Sequence, residues 1–386
     1  MPRYPIGIQT FPELIEKGYV YVDKTGLIYN LTHSDFKYVF LSRPRRFGKS
    51  LLISTIRAYF EGQRELFAGL EIERLETEWC KYPVLHFSMS RGKHFDEAGL
   101  TEYLSRQLMV WEEIYGCDPT DTMVNTRLSS VIRRAYEQTG EKVVVLIDEY
   151  DAPLLDVAHE ETALPRLRNI MRNFYAPLKD ADPYLRFVFL TGITKFSQVG
   201  IFSGLNNIKN ISLLDRFAAI CGITEQEMTT HMSEGIDSLA DELEISRKAT
   251  LELLKRKYDG YHFSKRCPDI YNPFSLLNCF SDHELGNYWF ESGTPTSLIE
   301  LMRKFDYLPT ELGANVSAAE TAFDIPIDNL TSVIPLLYQS GYITIKDYDK
   351  QGQIYTLGIP NDEVRIGLMQ SLMPNYIRTI GSADTV

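Results

Sequence analysis

The stretch Ser42-Arg43-Pro44-Arg45-Arg46-Phe47-Gly48-Lys49-Ser50 follows the short, largely apolar run Lys37-Tyr38-Val39-Phe40-Leu41. After it, residues 51–60 place apolar side chains at 52, 56, 59 and 60, a helical spacing. Strand, loop, helix is the order in which backbone N–H groups and the positive end of a helix converge on an anion. The usual phosphate loop reads Gly-x-x-x-x-Gly-Lys-Ser/Thr, and here Arg43 stands where the first glycine belongs. A bare Gly-Lys-Ser/Thr arises by chance in roughly one chain in five of this length on average composition. The loop therefore decides little until a second segment is set beside it.

That second segment is Val143-Val144-Val145-Leu146-Ile147-Asp148-Glu149. Five apolar residues, β-branched apart from Leu146, suit a central parallel strand buried on both faces. Two carboxylates emerge at its carboxyl end. Asp148 suits a Mg²⁺ ion held through water, and Glu149 suits the polarisation of an attacking water. Read alone, the run is equally a buried strand ending in an acidic turn, because Asp151 follows. Together and in this order, the two segments read as the phosphate and magnesium halves of an ATP site. On this reading Arg43, Arg45, Arg46, Phe47, Gly48, Lys49, Ser50 and Leu51 lie against the nucleotide. Lys49 bridges the outer phosphates, and the Ser50 hydroxyl and Asp148 serve the metal.

Lys49 and Asp148 leave room for an intervening strand, read at 83–89, with helices at 97–115 and 122–138. A further helix is expected at about 164–178, followed by the buried strand Leu185-Arg186-Phe187-Val188-Phe189-Leu190-Thr191-Gly192. Alternating strands and helices predict an α/β fold: a parallel sheet covered by helices, with ligands at the strand carboxyl ends.

With these motifs in view the chain resembles the AAA-ATPase-like family of bacterial and archaeal P-loop proteins. The resemblance runs over nearly the whole chain. It is carried by Tyr21-Val22-Asp23-Lys24-Thr25, by residues 43–50, by Leu146-Ile147-Asp148-Glu149-Tyr150-Asp151 and by Thr191-Gly192-Ile193-Thr194-Lys195-Phe196. Later come Tyr258-Asp259-Gly260-Tyr261, Tyr271-Asn272-Pro273-Phe274-Ser275, residues 288–295 and Tyr338-Gln339-Ser340-Gly341-Tyr342. The family pattern also carries Arg at the first phosphate-loop position. The resemblance implies phosphate and magnesium binding by Gly48, Lys49 and Ser50, with Asp148 metal-associated and Glu149 water-activating. It further implies that Thr191 or Thr194 senses the γ-phosphate, with an ordinary turn cap as the other reading of Thr194. The sensor strand would then lie between the loop strand and the Asp148 strand.

Members of this family often carry a PD-(D/E)XK-type nuclease region, which needs a carboxylate-rich site with a Glu-x-Lys element. The residues after Pro360 supply no such pattern, and Asp362, Glu363 and Arg365 follow Asn361 as at a capped helix start. No nuclease activity is expected of this chain.

At 386 residues, two or three domains are expected. The divisions read from the sequence are an ATPase core at 1–223, a helical lid at 224–296, a winged-helix-like unit at 297–365 and a C-terminal helix or linker at 366–386. Within the first, Thr10-Phe11-Pro12-Glu13 matches a capping box and residues 19–22 read as a short strand before a helix from Gly26. Residues 19–25 are either a structural lead-in or a contact for adenine. Thr224-Glu225-Gln226-Glu227 is a second capping box opening the lid, and the aromatic-rich run 258–263 reads as a packed turn, the other reading being a contact for nucleotide or a partner. In the third unit a helix at 333–338 precedes two alternating runs joined by the turn Asp349-Lys350-Gln351-Gly352.

A net charge of −12 argues against a nucleic-acid-binding surface spread over the molecule but leaves a local one open. The five cysteines are scattered with no Cys-x-x-Cys pair, and Ala163 stands where a zincin motif beginning at His159 needs its second histidine. Neither disulfides nor zinc are indicated, no segment reads as a leader or membrane span, and the cytoplasm is the default. Beyond ATP, a protein partner of unknown identity is expected. An arginine from a neighbour often completes phosphoryl transfer, and none here singles itself out, so a homo-oligomer stays open. The functional expectation is ATP hydrolysis with Mg²⁺ driving a conformational change, the alternative being a nucleotide-dependent switch with little turnover.

Overall fold

The fold is described by a computed structural model over residues 2–90, 96–158, 160, 162–194, 207–266, 268–291, 296–307, 316–319, 323 and 332–370. Five strands form the central sheet: β1 (Tyr38–Ser42), β2 (Val84–Ser88), β3 (Val143–Asp148), β4 (Leu185–Gly192) and β5 (Lys209–Asn210). Their order is β2-β3-β4-β1-β5 and every pairing is parallel. All six residues of β3 are buried, as a strand sandwiched between helical layers requires. The strand bearing Thr191 lies between the loop strand and the Asp148 strand, as the resemblance implies.

Register sets the site. Ser42 pairs with Gly192 across β1 and β4, and Ile147 pairs with Leu190 across β3 and β4. Asp148, Thr191 and the start of the phosphate loop therefore finish at one edge of the sheet.

Helices cover the sheet by their apolar stripes. In Glu97–Tyr115 the buried residues are Leu100, Leu104, Leu108 and Trp111, spaced four, four and three apart. In Val124–Thr139 they are Leu128, Val131, Ile132 and Ala135. The helix expected at 164–178 is divided at Ala176, with Ala163–Tyr175 followed by Pro177–Asp180. Pro177 lacks an N–H and begins a new turn rather than continuing the old one.

A second core lies beyond Cys221. Helices Glu225–His231, Ser233–Glu242, Arg247–Tyr258 and Pro273–Asp282 pack around Met228, Ile236, Leu239, Leu254 and Phe280. The Thr224 capping box forms, with Thr224 Oγ1 accepting from Glu227 N and Glu227 Oε2 accepting from Thr224 N. The short antiparallel pair β6 (Ile223–Thr224) and β7 (Ile270–Tyr271) closes this unit.

Strands β8 (Val316–Ala319), β9 (Thr344–Asp349) and β10 (Ile354–Gly358) make an antiparallel sheet in the order β8-β10-β9. The Asp349 carboxylate accepts from Gln351 N and Gly352 N to build the expected turn. Leu337, Tyr342, Tyr355 and Leu357 of this part belong to the same hydrophobic cluster as the parallel sheet. Asn361 caps the helix at 362–370 by accepting from Val364 N.

Two local expectations are corrected. Residues 19–22 form no strand; Val20 N donates instead to Arg3 O. Thr10 precedes the helix Phe11–Glu16 without a side-chain cap, and Phe11 N donates to Ser54 Oγ at 2.8 Å. His159, Lys195, Phe196 and residues 371–386 lie outside the described residues.

Candidate functional site

The loop between β1 and the helix Lys49–Phe60 turns on Gly48, whose φ of +85° is accessible to glycine without strain. Lys49 begins the helix yet is buried, and its Nζ donates to Arg43 O at 2.9 Å and Pro44 O at 2.8 Å. The ammonium thus folds back over the concave side of the loop. Burial lowers its pKa, opposed by Glu149, Asp148 and Asp151. Ser50 follows in the first helical turn, where N–H groups have no intrahelical acceptor.

Asp148 closes β3 and is buried, and Thr191 Oγ1 donates to its Oδ1 at 2.7 Å. Glu149 sits one residue further with φ +51°, the left-handed region that costs a non-glycine residue. Its carboxyl is pushed above the ordinary range by burial, and further by Asp148 and Asp151, while Lys49 and Arg45 oppose. A carboxylate so placed is a stronger base than a solvated one.

The two candidate threonines are now separated. Thr191 faces Asp148. Thr194 donates Oγ1 and its backbone N to Asp151 Oδ2 at 2.7 and 2.6 Å, and Ile193 N adds a third donor. Asp151 is buried inside that knot, and Tyr150 hydroxyl donates to Thr194 O. A Cβ on Gly192 would lie 2.5 Å from Tyr150 Cε1 and 2.6 Å from Asp151 Oδ1, so glycine is required between the two threonines.

The loop arginines part company. Arg43 is 2% exposed and does not face the loop mouth. Its guanidinium donates to the carbonyls of Ser42, Ser212, Phe217 and Ala218 and lies 4.3 Å from the Phe263 ring centroid. The expectation that its side chain lies against phosphate is corrected: where a glycine is usual, this loop roots itself in the core. Arg46, φ +64°, stacks on Phe274 with its guanidinium carbon 3.8 Å from the ring centroid. Arg45 is exposed. Phe47 is buried edge-on against Tyr261 and Phe263 at 4.8 and 5.3 Å between centroids. The aromatic run 258–263 is thus a packed turn, and what it packs against is the phosphate loop itself. No periodicity in the sequence announces that contact.

Beside Gly48 and Leu51 lies an apolar cavity. Val20, Tyr21 and Val22 form one wall, and Cys221 and Ile223, at the start of the second helical core, another. Lys24, also at its edge, is clamped to the helix Glu225–His231: its Nζ donates to both Glu227 oxygens at 2.6 and 2.7 Å.

A phosphate loop on β1, an acidic end on the next strand but one and a polar strand end between them are the parts an AAA-type nucleotide site needs. The family model described as Predicted AAA-ATPase matches residues 5–202. The chain belongs to the predicted AAA-ATPase family. This AAA-ATPase-like protein is 37% identical over 382 residues to a protein of Azotobacter chroococcum mcd 1 described as "Uncharacterized protein in vnfD 5'region". That match covers 97% of this chain and 70% of the relative. Among solved structures, the Aeropyrum pernix ORC1 protein in complex with DNA aligns at 11% identity and a TM-score of 0.27, covering 92% of this chain and 94% of that one. So low a score carries no argument about function. No helix among the described residues is long and apolar enough to cross a membrane.

Proposed function

We propose that this AAA-ATPase-like protein binds ATP with Mg²⁺, hydrolyses it, and uses the cycle to change the relation of its lid to its core. The observation that carries the reading is the meeting of Lys49, the Asp148–Thr191 pair and Glu149 at adjoining strand ends, next to an apolar cavity. Gly48, Lys49 and Ser50 would hold the phosphates. The cavity walled by Val20, Tyr21 and Val22 suits an adenine ring, a flat group that gains from apolar enclosure.

Ser50 and Asp148 would hold Mg²⁺, which supplies charge neutralisation on the phosphate oxygens. Glu149, its pKa raised by burial, would take the proton of the attacking water. Thr191 would keep Asp148 oriented. Lid coupling rests on Lys24–Glu227 and on the Arg46–Phe274 stack, both joining core to lid beside the loop.

The test is steady-state ATP turnover by the wild type, Lys49→Ala and Glu149→Gln, with nucleotide affinity measured in parallel. Expected are loss of binding in Lys49→Ala and retained binding with lost turnover in Glu149→Gln. A wild type that binds ATP but turns it over no faster than Glu149→Gln would instead make the protein a nucleotide-dependent switch.

A further inference from the structure

Three arginines stand in the phosphate loop, and they are used in three different ways. Arg43 is spent inside the core on four carbonyl oxygens. Arg46 is spent on the face of Phe274. Arg45 is exposed, and of the three it alone makes no side-chain hydrogen bond, ion pair or ring contact to any of the described residues. It is held through its backbone instead. Its carbonyl accepts from Trp289 Nε1 at 3.4 Å, and the neighbouring Pro44 carbonyl accepts from Lys49 Nζ. Trp289 is itself fixed, since its backbone N donates to the buried Glu363 carboxylate and its ring packs on Tyr342.

This arrangement leaves one exposed, uncommitted guanidinium on the loop, one residue from the carbonyl that holds Lys49 Nζ. The Arg45 charge also reaches Glu149, where it opposes the effect of burial. In phosphoryl transfer the charge spreads over the equatorial oxygens of the moving group, and a guanidinium is the side chain best suited to hold them. The Lys49 ammonium lies within electrostatic reach of Glu149, Asp148 and Asp151, one cation against three carboxyl groups, so a second cation improves the balance.

We infer that Arg45 provides in cis the transition-state charge that many phosphate-loop ATPases receive from a neighbouring subunit, with Trp289 as its positioning residue. This rests on the hydrolytic reading above. In the step served, water oxygen bonds to the γ-phosphorus as the bond to the bridging oxygen breaks. The bridging electron pair leaves with ADP, and the water proton passes to Glu149. Arg45 enters no covalent bond; it holds the equatorial oxygens while their charge grows.

The test uses the full chain and the variants Arg45→Ala, Arg45→Lys and Trp289→Phe. Measured are ADP affinity, its tightening by aluminium fluoride with Mg²⁺ as a mimic of the transferring group, and kcat across a wide range of protein concentration. Arg45 touches no other described side chain, so its removal should leave the fold intact. Expected for Arg45→Ala is a kcat lower by about a thousandfold, ADP affinity near wild type and no aluminium fluoride tightening, with Arg45→Lys in between. Trp289→Phe should lower kcat and weaken the tightening without changing ADP affinity. Wild-type kcat should not change on dilution. Wild-type kcat and tightening in Arg45→Ala would overturn the inference, as would a wild-type kcat that collapses on dilution while Arg45→Ala matches it. A wild type with no turnover above Glu149→Gln would instead remove the hydrolytic reading, a result visible before any Arg45 variant is made.

Discussion

Thr191 on β4 donates its hydroxyl to Asp148 Oδ1 on β3 at 2.7 Å, and both residues are buried. Thr191→Val keeps the side-chain shape but removes the donor, leaving a buried carboxylate oxygen without that partner. Such a loss costs about 1–3 kcal/mol. The urea midpoint should fall with an unchanged slope, turnover should fall with it, and Thr191→Ser should recover both. A Thr191→Val protein equal to wild type in both would show that the bond matters to neither.

Arg43→Lys tests whether the first loop position serves the fold rather than the phosphates. A lysine cannot reproduce a planar fork shared among four carbonyls, and the expected loss of stability is about 2 kcal/mol. Nucleotide affinity, measured well below the unfolding transition, should stay near wild type. Lost affinity at wild-type stability would return Arg43 to the ligand.

The cavity beside Gly48 can be filled from its irregular wall. Val20→Trp places a large ring there, and nucleotide affinity should fall at least about tenfold, or ~1.4 kcal/mol. Val20 packs against the second core, so the thermal midpoint is followed alongside to separate a filled cavity from a weakened fold. Calorimetric titration with ATP decides it, and unchanged affinity would move the base to another surface.

Asp259 offers a pH dependence. It is 2% exposed, its Oδ1 has no partner among the described residues, and its pKa is raised to about 6. Burial is the main cause, reinforced by Asp269 and Glu225 and opposed by a Gly260 backbone hydrogen bond and Lys255. Between the ordinary carboxylate value and about 6 the folded state holds the proton that the unfolded chain has lost. Stability therefore declines as pH rises through that window. Above it the buried charge costs up to ~3 kcal/mol. Asp259→Asn should be more stable than wild type at pH 7.5, and the difference should vanish near pH 3.5. An unchanged difference between those two pH values would refute the assignment.

The sequence alone carried the alternation of strands and helices, the limits of β4 and of the helix Glu97–Tyr115, the Thr224 capping box and the two motifs. Each of these depends on local physics: burial periodicity, side-chain capping, and the glycine, lysine and carboxylates that phosphate chemistry needs at a strand end. Tertiary structure decided what distant residues do to one another. Arg43, Arg45 and Arg46 look equivalent in the chain, and the three surroundings that divide them come from residues 212–218, Phe263, Phe274 and Trp289. Thr191 and Thr194 are likewise alike until the turn through Gly192 points one at Asp148 and ties the other to Asp151. Spacing along a chain sets which side chains share an element. It does not set which buried donor meets which acceptor across elements, and that pairing is what divides three arginines that look alike along the chain.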